Sequence, residues 1–465
     1  MNATSVENLL GTKVGKKDEK RMSKKISAPQ LVTLVFMMLI LMGTGLLMLP
    51  VVTNDGQGVP FLDALFTATS AICVTGLSTF SISEQYNMGG QAILLILIEI
   101  GGIGFMSIPV FFYILAKKRV NLSTRMILRE SLNLDRMSGE FQLAWYIIRI
   151  AFLIQFLGIC LLALSFVPRF GWQQGLWFSI FHAISSFCNA GFDLFGNSLV
   201  SFQSDPFVLG VISLLIIAGG LGFLVWFDLL ATSKRRSLHS RIALLAMIVL
   251  LILGTVGFYV TEYHSSIVSG DSIVSRFFQL FFLAVTPRTA GFYSIDYGQM
   301  SQAGLMLTMI LMYIGGTSGS TAGGLKTTTV SVLIIKIRSL LKGRKRAEVF
   351  GRTIKEAAVS RAFTLFFLTL SLCFIAIFLL SITESMPGNS QFGLEYIAFE
   401  VFSAFGTVGL TMGLTPYLSV FGKLLIILLM FIGRVGIMTV AFSLMTKANR
   451  REAGYKFPDE TVMIG

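Results

Sequence analysis

Four short segments of this 465-residue chain align on a glycine: CVTGL (Cys73–Leu77), CNAGF (Cys188–Phe192), RTAGF (Arg288–Phe292) and GTVGL (Gly406–Leu410). With Gly76, Gly191, Gly291 and Gly409 as origin, Phe66, Phe181, Phe281 and Phe399 stand ten residues upstream. Five upstream is always small (Ala71, Ser186, Thr286, Ala404), and one downstream is always large and apolar (Leu77, Phe192, Phe292, Leu410). Agreement at four columns in four places marks an internal repeat. A second block follows 23 to 27 residues after each glycine: IGGIG (Ile100–Gly104), AGGLG (Ala218–Gly222), IGGTSG (Ile314–Gly319) and IGRVG (Ile432–Gly436). The unit these columns define is a helix, a short re-entrant helix, a glycine turn and a second helix interrupted by glycines.

Composition supplies the solvent. With 54% hydrophobic and 13% charged residues, the chain has too much apolar surface to hide in water. Runs such as Leu31–Leu49, Ile93–Leu115, Val208–Leu230, Ile242–Val260, Ala362–Ile382 and Leu424–Leu444 reach the ~20 residues of a membrane helix, as does Leu305–Ile314 with its continuation. The first run follows a basic stretch and is too long for a signal-peptide core, so no cleavable leader is expected. Most of the 37 Lys and Arg fall in five blocks: Lys13–Lys25, Lys117–Arg136, Lys234–Arg241, Lys326–Arg361 and Lys447–Lys456. Apolar hairpins separate them, which is the positive-inside pattern and not the footprint of a nucleic-acid binder. Eight full crossings with both termini cytoplasmic follow. The intervening segments carry Asp55, Asp63, Glu84, Asp205, Glu262, Asp271, Asp296 and Glu384, and an acidic outer face suits cation uptake. The basic blocks are read as solvated flanks or as contacts to anionic lipid or a partner. Four cysteines without metal spacing and three histidines build no metalloenzyme.

The re-entrant helices are about 12 residues long, too short to span. Pro60 and Asp63 mark the start of the first, and Asp271 is expected to cap the third. Non-helical backbone at membrane depth is tolerated where it is buried in protein or lines a wet cavity, so four turns at matching depth point to one pathway. A ring of backbone carbonyls replaces the water of an alkali cation without trapping it, and glycine permits the dihedrals that turn carbonyls inward. The candidate filter is Val74-Thr75-Gly76, Asn189-Ala190-Gly191, Thr289-Ala290-Gly291 and Thr407-Val408-Gly409, with potassium as the bound ion. Each short helix would aim its C-terminal dipole, about −0.5 charge, at that ion. The turns hold no carboxylate ring for a divalent ion. Close helix packing is the competing use of such glycines, above all in IGGIG and AGGLG.

Two departures from the repeat stand out. In the third, Gly315-Gly316-Thr317-Ser318-Gly319-Ser320-Thr321-Ala322-Gly323-Gly324 precedes Leu325-Lys326 inside an apolar span. Each interior glycine costs about 1 kcal/mol relative to alanine, so the helix is expected to break below the filter. A kinked helix packing through Gly315, Gly319 and Gly323 is the alternative. In the fourth, Arg434 replaces the glycine kept as Gly102, Gly220 and Gly316. A charge at that depth is a functional candidate, either facing the broken segment as a barrier to cations or paired with Glu99 or Asp228. Arg288 is expected to brace the third turn from behind. Glu400 is expected to accept hydrogen bonds from the backbone around the fourth turn or to pair elsewhere, and His182 is expected to be packed.

The four turns, TPRTAGF at Thr286–Phe292 and SAFGTVGLTMGLTP at Ser403–Pro416 resemble the membrane subunit of Ktr-type potassium transporters, in the Trk/Ktr/HKT superfamily. The resemblance runs from about Pro29 to the end. It implies an all-α membrane protein of four pseudo-fourfold membrane–pore–membrane repeats, with eight full transmembrane helices and four re-entrant pore helices. It implies one pore per subunit, a homodimer and a separate cytosolic ring of nucleotide-binding regulatory subunits. Gly315–Gly324 with Lys326 takes the place of an intramembrane gating loop, and Gly76 stands where sodium-preferring members carry serine. The resulting division is an N-tail (1–28), repeats at 29–118, 119–232, 233–345 (loop 315–326) and 346–446, and a C-tail (447–465). The chain itself needs no cofactor beyond transported potassium or sodium. Gly319–Thr327 mimics a P-loop, but Leu325 separates glycine from lysine, so nucleotide control would come from another subunit. Broken helices also fit a gradient-coupled transporter with alternating access, although such proteins often use inverted repeats. A membrane enzyme would need G-x-S-x-G or H-E-x-x-H, and neither occurs.

Overall fold

The computed structural model describes residues 28–103, 140–230, 236–262, 268, 272–384 and 393–444. The N- and C-terminal basic blocks, Lys117–Arg136 and Gly104 lie outside them. The described chain is predominantly helical, and one motif recurs in it: a long helix, a short helix ending in a turn, then a medium helix. In order these are α1 Ala28–Leu47, α2 Phe61–Ile72, the one-turn α3 Ile82–Gln85 and α4 Met88–Gly102. Next come α5 Glu140–Phe170, α6 Trp172–Cys188, α7 Pro206–Gly220 and α8 Phe223–Leu230, then α9 Leu238–Glu262, α10 Ile273–Val285, α11 Gln302–Tyr313 and α12 Thr327–Leu341. A hairpin of β1 Glu348–Val349 and β2 Arg352–Thr353 leads into α13 Glu356–Thr383, α14 Leu394–Gly406, α15 Val420–Val435 and α16 Ile437–Leu444.

The long helices α1, α5, α9 and α13 contain the four continuous segments that are long and apolar enough to cross a membrane. They turn large apolar side chains outward, such as Met38, Leu164, Leu253 and Phe378, all more than half exposed. Water would not tolerate such a surface, and hydrocarbon does. The medium helices are interrupted where glycines fall. The α7–α8 pair bends by 95° around Gly222, whose φ is +91°, and α15 gives way to α16 at Gly436, with φ +92°. The described residues therefore show four unbroken spans, or five if the bent α7–α8 pair is taken as one.

Each medium helix begins on a side-chain cap. Asn87, Asp205, Ser301 and Ser419 accept backbone N–H groups of Gly89, Phe207, Gly304 and Gly422, satisfying donors that the helix itself leaves open. The third short helix is capped by Ser272, which accepts from Ser275 N, and Asp271 lies outside the described residues. Pro60 and Asp63 open the first as expected.

Packing closes on itself. Each short helix lies against its own long helix: α2 on α1, α6 on α5, α10 on α9, α14 on α13. Each medium helix then packs against the short helix of the next unit: α4 on α6, α7 on α10, α11 on α14, and α15 back on α2. The short helices are thereby sheathed in protein. In α2, Phe66 through Ile72 are all buried, which a 12-residue helix ending at membrane depth requires.

Candidate functional site

The four turns share one backbone conformation. Val74, Asn189, Thr289 and Thr407 have φ of +56°, +60°, +70° and +49°, and Gly76, Gly191, Gly291 and Gly409 have +93°, +71°, +82° and +94°. The residues between them, Thr75, Ala190, Ala290 and Val408, keep negative φ. Left-handed backbone at a non-glycine residue costs roughly 1–2 kcal/mol, so four aligned instances need an external brace. The brace is the preceding helix. Thr75 N donates to Ser70 O (2.7 Å), Ala190 N to Ser185 O (2.8 Å), Ala290 N to Thr286 O (3.0 Å) and Val408 N to Ser403 O (2.8 Å). Gly76 N and Gly409 N donate to the hydroxyls of Ser70 (3.0 Å) and Ser403 (3.1 Å). Ser185 Oγ and Thr286 Oγ1 reach forward to Phe192 O and Phe292 O. The amide hydrogens are thus drawn back toward the short helices.

The turns meet in a closed order. A Cβ on Gly76 would strike Ala190 O at 2.6 Å, and one on Gly191 would strike Ala290 O at 2.7 Å. Side chains on Gly291 and Gly409 would collide with Val408 O and Thr75 O. Each glycine therefore faces the carbonyl one residue before the next glycine, and the fourth faces the first. The four glycines and the four residues that precede them, eight of the twelve candidate filter positions, make these contacts. Three short helices end within two residues of their tripeptides, whereas α10 stops at Val285 because Pro287 has no N–H to continue the ladder. Asn189, the odd member, turns its amide behind the second turn. Its nitrogen donates to Phe187 O (3.2 Å) and Ile216 O (3.3 Å), and its oxygen accepts from Thr289 Oγ1 (3.1 Å).

The segment Gly315–Gly324 is not helical, and Ile314 bridges to Leu325 in parallel, closing it as a loop. This replaces the kinked packing helix. The loop is stitched to the interrupted helices on either side. Thr317 N donates to Gly220 O (3.1 Å), Thr321 N to Gly219 O (3.3 Å), Phe223 N to Gly319 O (2.8 Å) and Gly324 N to Gly433 O (3.2 Å). Thr321 Oγ1 donates to Phe187 O (3.3 Å), Thr327 Oγ1 to Gly315 O (2.5 Å) and Ser320 Oγ to Thr317 O (2.7 Å). A Cβ on Gly323 would collide with Thr407, and one on Gly315 would touch Thr289, so the loop lies against the third and fourth turns. Ser318, Gly319, Ala322 and Lys326 line a cavity of about 270 Å³ on its far side, with Gly316 behind it against Ala322.

Arg434 joins this assembly. One guanidinium nitrogen donates to Thr321 O in the loop, and the other donates to Gly101 O and to Gly102 O (3.0 Å) at the C-terminal end of α4. It pairs with neither of the acids considered from sequence. Glu99 is held by Gln155 (2.9 and 3.1 Å) and Cys188 (3.2 Å), and Asp228 by Ser237 and Ser240. Lys326 and Arg361 line the same cavity as Arg434, and Lys326 Nζ donates to Ala322 O (2.5 Å). The glycines aligned with Gly433 serve close approach: Cβ atoms on Gly101, Gly219 and Gly433 would strike Ile72 O, Phe187 O and Phe405 O, each four residues before a turn glycine.

Other expectations fare unevenly. Glu400 is buried, and its partners are the hydroxyls Thr411 Oγ1 (2.8 Å) and Thr415 Oγ1 just beyond the fourth turn rather than the turn's backbone. His182 is packed: Nδ1 meets Phe178 O at 2.8 Å, and its ring stacks on Phe195 at 4.3 Å. Arg288 is buried and its Nε has no partner among the described residues, while the hydroxyls of Ser70, Ser185, Thr286 and Ser403 hydrogen-bond the turns. That column was open to view. Six residues before the glycine stands serine in three repeats, and in the third, where Val285 takes the place, Thr286 supplies the hydroxyl one position later.

A helical membrane protein with a central ring of carbonyl-bearing turns has the architecture of an ion conductor or carrier. Residues 4–450 match the family model described as TrkH, cation transport protein, and the chain belongs to that family of membrane ion transporters, which are not enzymes. It is 57% identical over 449 residues to the "Potassium/sodium uptake protein NtpJ" of Enterococcus hirae, covering 96% of this chain and 99% of that one. It is 39% identical over 444 residues to the "Ktr system potassium uptake protein B" of Bacillus subtilis, covering 95% and 97%. Its fold is similar to the crystal structure of the potassium transporter TrkH from Vibrio parahaemolyticus, with a TM-score of 0.72 at 18% identity over 93% of this chain and 87% of that one.

Proposed function

We propose that this chain takes up potassium through the ring formed by Val74–Gly76, Asn189–Gly191, Thr289–Gly291 and Thr407–Gly409. The observation that carries the reading is the cyclic closure, each glycine set against the carbonyl of the next turn. Four short helices direct their negative dipole ends toward that ring, and the unusual dihedrals give their carbonyls a common orientation. The chain is then four membrane–pore–membrane units around one pathway, with both termini on the basic, cytoplasmic side. Gly315–Gly324 is the gate beneath the filter, Arg434 pins it to α4, and Lys326 and Arg434 raise the electrostatic cost of passage when it is shut. The names of the relatives support potassium as the cargo, and one of them adds sodium. The family resemblance further supports a homodimer controlled by a separate nucleotide-binding ring.

The test is flux in liposomes holding the purified chain. A potassium flux that reverses with voltage alone, with rubidium following and sodium slower, supports a filter-lined pore. A flux that runs only with a second ion gradient would instead make this a coupled transporter with alternating access.

A further inference from the structure

Past the end of α12 the chain turns back through the β1–β2 hairpin, paired Glu348↔Thr353 and Val349↔Arg352. Its tip, Phe350-Gly351, has φ of +51° and +70°, the twist of a two-residue turn. The hairpin is tied to the helix: Glu348 N donates to Ser339 Oγ (3.2 Å), Arg344 N to Ser339 O (2.9 Å) and Lys336 Nζ to Lys345 O (3.0 Å). A cavity of about 520 Å³ lies between them, lined by Arg338, Lys342, Arg344 and Arg352 against the single carboxylate of Glu348. Glu348 is engaged by Arg344 at 3.0 Å. Arg338, Lys342 and Arg352 have no carboxylate partner among the described residues. All three are solvent-exposed and screened by water, and an anion seated in the cavity would meet them together.

A second observation says which anion. Ile334, Ile337 and Leu341, spaced on one face of α12, are 59%, 50% and 84% exposed, and Phe350 at the hairpin tip is 48% exposed. Arg338 and Lys342 flank this stripe, Arg338 standing between Ile337 and Leu341. A free phosphate would use the cations and ignore the stripe, whereas a lipid uses both. We propose that this cavity is a site for the headgroup of an anionic phospholipid, its acyl chains lying along α12 and its phosphate held by Arg338, Lys342 and Arg352. The site sits at the far end of the helix that follows the Gly315–Gly324 loop, so an occupied cavity anchors the end of α12 at the membrane surface.

The experiment purifies the full chain with mixed phosphatidylglycerol and phosphatidylcholine and measures the lipid retained by native mass spectrometry. Wild type retains phosphatidylglycerol selectively. Arg338→Gln with Lys342→Gln and Arg352→Gln lowers that retention about tenfold, and Ile337→Ser with Leu341→Ser lowers it severalfold. Lys345→Gln with Arg346→Gln, outside the cavity, leaves it unchanged. Equal retention by the cavity variant and wild type overturns the proposal. So does an equal loss in the Lys345/Arg346 variant, which marks diffuse charge attraction. Displacement of the lipid by millimolar inorganic phosphate, with the Ile337/Leu341 variant behaving as wild type, overturns it in favour of a free-phosphate site.

Discussion

Replacing Arg434 with alanine removes one side chain that holds two parts of the molecule together. Its guanidinium donates to Thr321 O in the loop and to Gly101 O and Gly102 O at the end of α4. Hydrogen bonds from a charged donor contribute about 1.5–3 kcal/mol each, so three lost at once, partly replaced by water, weaken the closed arrangement by roughly 3–5 kcal/mol. The electrostatic part is separate. A cation passing roughly 6 Å from the guanidinium at an effective dielectric of about 20 meets a barrier of about 3 kcal/mol, a factor of about 100 in rate. Arg434→Ala should therefore raise basal potassium flux in liposomes by about 100-fold or more. Arg434→Lys keeps the charge but is a point donor, without the fork that lets one group reach both the loop and α4. Its flux should lie closer to Ala than to wild type. Rubidium uptake into liposomes of matched protein content measures all three. Wild-type flux in a folded, monodisperse Arg434→Ala protein would refute both the latch and the barrier.

Deleting Thr317–Ala322 removes the steric part of the gate and should raise flux at least as far, by the same assay. Ser70→Ala and Ser403→Ala each remove one hydroxyl bond to a turn glycine, at 3.0 and 3.1 Å. At about 1 kcal/mol per bond, each should lower the potassium-to-sodium flux ratio about fivefold. Neutralising Lys342, Arg344, Lys345 and Arg346 together should weaken co-purification of a candidate regulatory subunit without preventing membrane insertion, and equal recovery would exclude this block as its contact.

Much of this was legible because the repeat is written in backbone requirements. Gly76, Gly191, Gly291 and Gly409 stand out because positive φ with a carbonyl at van der Waals contact admits little else. The broken segment showed as a run of ten Gly, Ser, Thr and Ala residues, five of them glycine, with poor helix propensity as a whole. The register of Arg434 followed from repeat symmetry, whereas its partners depended on where α4 ends relative to the loop, a tertiary fact. The order of the turns around the ring is likewise absent from local pattern. Ser272 caps the third short helix, and helix starts are legible in sequence only to within a residue or two. The hairpin at Glu348–Thr353 was hidden, since phenylalanine at a left-handed turn position is not a turn signal and the flanking lysines and arginines read as a solvated block.

The central claim is that the four turns form one potassium-selective ring. The most direct measurement is the potassium-to-sodium flux ratio in liposomes for Gly76→Ser, Gly191→Ser, Gly291→Ser and Gly409→Ser. A Cβ at each position meets the carbonyl of the next turn, so every variant should lose selectivity, by about tenfold or more, even though only one turn is altered. Wild-type ratios in all four folded variants would contradict the ring.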